Sequence, residues 1–214
     1  MPNIVDLTYF QKANIFNIPL AVDLPVANPS LATPNESGYL TNLIAQIEKN
    51  LLLNALGLDC YNELQLALAD INNPLYASYK KLVQGEEYDS KVWQGLNYDL
   101  GFITAKVYDE FLTQTNERLT GVGNVKVDSE KATTKTPAYK IAQASQIFNK
   151  NYQGGYLIEP IILDCFIDYF GQNQAVEVSF YQYMLDKKDD FPLFDIEKFR
   201  IYKEETIKNS FGIW

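Results

Sequence analysis

The chain is 214 residues long, 47% hydrophobic and 21% charged, which suits one ordinary domain with a buried core and leaves little room for a second. Its 27 acidic and 18 basic residues give a formal charge of −9, with Arg118 and Arg200 as its arginines, a balance that argues against a phosphate-gripping nucleic-acid binder. His is absent, which excludes Ser-His-Asp triads, Cys-His pairs and His-ligated zinc.

Residues 1–6 lack a basic stretch leading into an apolar run, and no segment reaches the roughly 18 apolar residues of a membrane span. A soluble cytoplasmic chain with no membrane partner is expected. Residues 1–33 carry no helical period, and Pro19, Pro25 and Pro29 interrupt short apolar runs. That pattern predicts an extended N-terminal arm, laid over a neighbour or over its own core. The bundle core is expected over 34–156. Thr33-Pro34-Asn35-Glu36 reads as a capping box opening a long helix, with Leu40, Leu43, Ile44, Ile47 and Leu51 on its buried face and Gly57 at its stop. Asp59 is expected to cap a second helix that buries Tyr61, Leu64, Leu68 and Ile71, and Asn73-Pro74 to open a short third one ended by Gly85. After a polar surface turn at 86–89, Ser90 is expected to cap the longest helix, with Trp93, Leu96, Leu100, Ile103, Val107 and Phe111 facing inward and an end within 114–119. Gly95 and Gly101 would then lie inside that helix, either merely tolerated or marking the close approach of another helix.

Residues 120–136 are polar, rich in Gly and Thr and without a period, so a long loop or a short hairpin is expected. Thr136-Pro137 opens a further helix with Ile141, Ala144, Ser145, Phe148 and Tyr152 along one stripe, broken by Gly154-Gly155. Residues 157–190 read as an additional packing segment: 157–170 is an apolar helix or strand and 174–186 is helical. Residues 191–214 read as an extended C-terminal tail whose last residues, Phe211, Ile213 and Trp214, are too apolar for a frayed end and suggest a plug for a pocket on this chain or a partner. The fold class is therefore mainly α: a bundle of about five helices with an arm, a long polar loop and a tail.

Little in the chain points to catalysis. Gly121-Val122-Gly123 lacks the third glycine and the Lys-Ser/Thr of a phosphate loop, since Lys126 stands where a glycine is needed. Cys60 and Cys165 are distant and suit buried thiols. Asp164 and Asp168 would share a helix face and could bind a cation or do acid–base work, but such pairs more often form a solvated face. The runs 86–89 and 187–190 read as surface charge, and Asn35-Glu36-Ser37 as a chance glycosylation sequon. No cofactor or metal is expected. A chain that works by contacting other subunits fits best, with arm and tail as its functional parts.

The order of motifs supports this. A long helix leads to Leu56-Gly57-Leu58-Asp59-Cys60-Tyr61-Asn62-Glu63-Leu64, then Leu82-Val83-Gln84-Gly85-Glu86-Glu87-Tyr88, another long helix, Thr120-Gly121-Val122-Gly123, and a closing Asn209-Ser210-Phe211-Gly212-Ile213. Over roughly 37–152 and the last residues the chain resembles the head-to-tail connector (adaptor) proteins of tailed bacteriophages, in particular those of Bacteroidetes-infecting and crAss-like phages. The resemblance implies a virion protein made in the bacterial cytoplasm, with no catalysis. It implies a homo-oligomeric ring, commonly of about twelve copies, beneath the portal protein at the neck, where genomic DNA passes as cargo to the next tail component. It also implies a portal-docking tail, here Asn209, Ser210, Phe211, Gly212, Ile213 and Trp214. The loop with Gly121, Gly123, Lys126, Lys131 and Lys135 would face the channel or a neighbour. A ring of such chains would carry a charge on the order of −100, which lets a duplex slide without sticking. A stopper or tail-completion protein, or a small cytosolic enzyme using Asp164 and Asp168, are the alternative readings.

Overall fold

The structure, a computed structural model, describes residues 3–18, 38–120, 123–126, 138–154, 176–196 and 199, with backbone alone at 115–120, 123–126 and 138. The fold is mainly α. Helix α2 (Tyr39–Leu56) runs into α3 (Leu58–Ala69) through Gly57 alone; a single 3-10 turn (Pro74–Tyr76) then leads into α4 (Ala77–Gln84). These helices form where the apolar spacing places them: Leu40, Leu43, Ile44 and Leu51 of α2 are buried, as are Tyr61 and Leu64 of α3, and Tyr79 and Leu82 of α4. The Asn73 side chain accepts the Leu75 N–H at 3.1 Å, which caps the short turn as its sequence predicts.

The start of α2 is one correction. Gly38 sits in the left-handed region at φ 82° and directly precedes the helix, so Tyr39 begins it; the Thr33–Glu36 capping box lies outside the described residues. Asp59 is another: it stands in the first turn of α3, whose N-cap is Gly57, and no side chain caps that end.

The largest correction concerns 86–101. No helix starts at Ser90. Strands β1 (Glu86–Tyr88) and β2 (Lys91–Trp93) pair antiparallel, with Glu86 opposite Trp93 and Tyr88 opposite Lys91. Asp89 and Ser90 turn the chain at φ 44° and 60°, as a two-residue hairpin of the type I′ kind requires. The backbone beyond β2 is spent on the C-terminal end of α4. Leu96 N–H donates to the Leu82 carbonyl and Asn97 N–H to the Val83 carbonyl, both at 3.1 Å, and the Trp93 indole N–H also donates to Leu82 at 2.9 Å. Carbonyls that a helix end leaves without partners are thus satisfied from across the chain, which a helix through Leu96 could not do. Gly85 (φ 89°) and Gly95 (φ 92°) lie back to back at this crossing; a Cβ on Gly85 would stand 2.5 Å from the Trp93 carbonyl oxygen, and one on Gly95 2.5 Å from that of Val83. Gly95 does mark a close approach, but it lies outside any helix and the backbone it meets is the last turn of α4.

The helix expected to be the longest is α5 (Phe102–Asn116), which starts only after Gly101 and is shorter than α2. It leads directly into β3 (Glu117–Thr120), which pairs antiparallel with β4 (Gly123–Lys126), the hairpin alternative for the polar loop. Helix α6 (Ala138–Gln153) packs along α5, and its Ala144, Phe148 and Tyr152 are buried as the stripe predicts; Gly154 at φ 99° ends it. Thr136 and Pro137 lie outside the described residues. Segment 174–186 divides: β5 (Val176–Glu177) adds to β2 in parallel, then Ser179, whose side chain accepts the Gln182 N–H, caps α7 (Phe180–Asp186).

The core is an aromatic seam. From Phe148 of α6 the rings run through Tyr152 (5.2 Å between centroids), Phe102 (5.3 Å), Phe180 (5.3 Å), Trp93 (5.9 Å) and Tyr183 (5.1 Å), then Phe191 (6.4 Å) and Tyr79 of α4 (5.3 Å). Each such pair adds about 0.5–1.5 kcal/mol beyond the area it buries. The described start of the C-terminal tail belongs to this seam, because Phe191, Phe194 and Phe199 are buried and Phe199 stacks on Tyr152 at 4.9 Å.

Candidate functional site

The described part of the N-terminal arm covers its own core. A one-turn helix, α1 (Thr8–Gln11), and its flanks bury Val5, Phe10, Phe16 and Ile18, with Phe16 against Tyr108 of α5 at 5.4 Å. The polar anchor is Glu48, on the buried face of α2 and 3% exposed. Its carboxylate accepts the Ile4 N–H at 3.0 Å on Oε1 and 3.1 Å on Oε2, and the Val5 N–H at 3.0 Å on Oε2. Burial pushes this carboxyl above its ordinary range, and the two amide hydrogen bonds pull it part of the way back. Beside it, Asn3, Val5, Asp6, Leu7 and Thr8 of the arm and Thr41 and Ile44 of α2 line an open groove of about 290 Å³.

A second polar cluster joins α7 to α4 and the hairpin. Glu86 of β1 accepts the Tyr183 hydroxyl at 3.0 Å and pairs with Lys81 at 3.0 Å and Lys187 at 3.4 Å. Asp186 accepts from Lys91 at 2.7 Å, the Tyr88 hydroxyl at 2.9 Å and Gln182 at 2.7 Å, while the Lys187 ammonium lies 4.4 Å from the Tyr88 ring centre. Burial raises the Glu86 carboxyl, but its hydrogen bonds from Lys81 and Tyr183 and the Lys187 charge outweigh burial and hold it below the ordinary range. A carboxylate so engaged is a clamp between elements and a poor proton acceptor. Reading 86–89 and 187–190 as surface charge holds for Glu87, Asp89, Lys188, Asp189 and Asp190, which are exposed, and is corrected at Glu86, Tyr88 and Lys187, which are half-buried and in contact with one another.

Of the residues singled out from the sequence, Gly123 and Lys126 sit on β4, opposite Thr120 and Glu117. Gly121, Lys131, Lys135, Asn209, Ser210, Phe211, Gly212, Ile213 and Trp214 lie outside the described residues, as do Asp164, Cys165 and Asp168. Cys60 is buried, with its sulfur 3.7 Å from the Tyr79 hydroxyl, and burial pushes its thiol up. Among the described residues no group of three or more His, Cys, Asp or Glu side chains is placed to hold a metal ion, and no helix is long and apolar enough to cross a membrane. Sequence reasoning passed over Glu48, although its position four after Ile44 and three before Leu51 puts an acid on the buried face.

No family model, no curated protein and no solved structure matches the chain.

Proposed function

We propose that this chain is a structural virion protein, a head-to-tail connector that forms a ring under the portal of a tailed bacteriophage and extends the DNA channel toward the tail. One observation carries the reading. Two of the motifs whose order carries the resemblance, Leu56-Gly57…Tyr61 and Leu82…Gly85…Tyr88, are bends between elements, from α2 to α3 and from α4 to β1, each made on a glycine with φ 77° or 89°. Motif order and chain direction thus change together. The acidity of the chain is compatible with a channel wall that does not hold DNA.

On this reading the copies contact one another in a ring of about twelve, the portal ring receives residues 209–214, and the next neck protein docks on the far side. Its place is the neck of the virion, it takes no cofactor, and it has no catalytic role. Quantitative mass spectrometry of purified virus particles tests the assignment: one copy per portal subunit is expected, and absence from the particle overturns it. Deleting residues 208–214 separates connector from stopper, since a connector loses portal binding while its bundle stays folded.

A further inference from the structure

Glu48 is a buried carboxylate whose hydrogen bonds come from the backbone of a segment 43 and 44 residues away, with no cation among its described partners. The described groups around it do not supply one. On the arm, Tyr9 is a phenol pushed up by burial, Asp6 is exposed and accepts from Thr8, and Lys12 is paired with Asp99. On α3, Tyr61 is likewise pushed up by burial. On α5, Lys106 pairs with Asp109 and Glu110. Neighbouring on α2 itself, Lys49 is exposed and makes no ion pair among the described residues.

We propose that residues 3–18 are a pH-sensitive strap, latched to α2 by Glu48, which holds more tightly when that carboxyl carries a proton. The geometry accommodates the proton. Glu48 Oε2 alone reaches both amides, at 3.1 and 3.0 Å, so Oε1 can become the hydroxyl while Oε2 keeps both donors. The protonated latch therefore keeps both amide donors on Oε2 and sheds a buried charge that no described cation pairs. When the strap lifts, Glu48 regains water and the ordinary carboxyl range of about 4.3. Because burial raises the docked carboxyl above the lifted one, docking is tightest below that ordinary range and weakens as pH rises through the docked value. Lifting bares the beds of Phe10, Phe16 and Ile18 on the bundle, so strap release couples solution pH to exposed apolar surface. The inference is independent of the connector reading.

Amide hydrogen exchange of the full chain tests it, read as protection relative to the intrinsic rate for peptides within 3–18, at about pH 5 and about pH 8. Protection in the wild type should fall about twofold or more toward the higher pH, while peptides within α6 stay level. Glu48→Gln, which keeps an acceptor for both amides and cannot ionise, should hold the acid-side level at both pH values. Glu48→Ala should be weakly protected at both; should it fail to fold, Glu48→Gln still decides the matter. Equal wild-type protection at the two pH values, a parallel fall in α6, or a Glu48→Gln profile that tracks the wild type would overturn the strap.

Discussion

Gly57 and Gly85 offer a controlled comparison, because both adopt nearly the same backbone conformation (φ 77°, ψ 168° and φ 89°, ψ 161°) in different surroundings. That region is open essentially to glycine alone, so alanine at either position costs about 1–3 kcal/mol in backbone strain. At Gly57 a Cβ would meet nothing within 4 Å, and the strain is the whole cost. At Gly85 it would also meet the Trp93 carbonyl oxygen at 2.5 Å, and Gln94 backbone atoms at 2.8 and 2.9 Å, none of which can swing aside as a side-chain tip could. Relieving that contact means moving β2 away from α4, which adds about 1–3 kcal/mol as overpacking does elsewhere. Gly85→Ala should therefore be less stable than Gly57→Ala by about 1–3 kcal/mol, a gap of roughly 2–12 °C in Tm for a chain of this size. Urea and thermal unfolding of both variants measure it, with an unchanged m-value required for the comparison. Adding Gly95→Ala to Gly85→Ala should cost less than the sum of the two, since the backbones have already parted. Equal losses at Gly57 and Gly85, or a larger loss at Gly57, would refute the crossing as the reason for glycine at Gly85.

Other consequences are equally direct. Phe180→Ala removes the fully buried ring that links Trp93, Phe102 and Tyr152, and should lower unfolding free energy by about 3–5 kcal/mol in urea titrations. Glu86 is held below its ordinary range in the folded state, so its contribution is present above the ordinary carboxyl value of about 4.3 and is lost as pH falls through the depressed one. Urea midpoints measured from neutral to acid pH should thus decline less steeply in Glu86→Gln than in the wild type. In a Cys165→Ser background, Cys60 should resist a thiol reagent until denaturant is added, because it is buried and burial keeps it protonated; rapid labelling of the native chain would contradict that placement.

The helices were legible where one physical signal was strong. Three- and four-residue apolar spacing marks α2, α3 and α6, and Gly57, Gly85 and Gly154 end their helices because each needs a positive φ. The β1–β2 hairpin was not legible, for its strands are three residues long and its turn is Asp89-Ser90, without the glycine that usually announces such a turn. Trp93 and Leu96 happen to continue the spacing of Leu100 and Ile103, so a helical period ran unbroken across a stretch whose hydrogen bonds go to α4. Polar partners were hidden for a different reason. Glu86 meets Tyr183, and Glu48 meets Ile4, across gaps of 97 and 44 residues, and charge patterning along the chain carries no information about such pairs.

Gly154 ends α6 within reach of the residue that starts α7, since a Cβ on it would stand 3.4 Å from the Ser179 hydroxyl oxygen, and Lys150 and Glu177 pair across the same seam at 3.3 Å. The end of α6 and the start of α7 therefore meet at nearly one point. Loop-closure entropy grows slowly, by about 0.6 kcal/mol for each doubling of length. A peptide inserted between two ends held this close together adds little closure entropy, which makes the seam between α6 and α7 a natural grafting port.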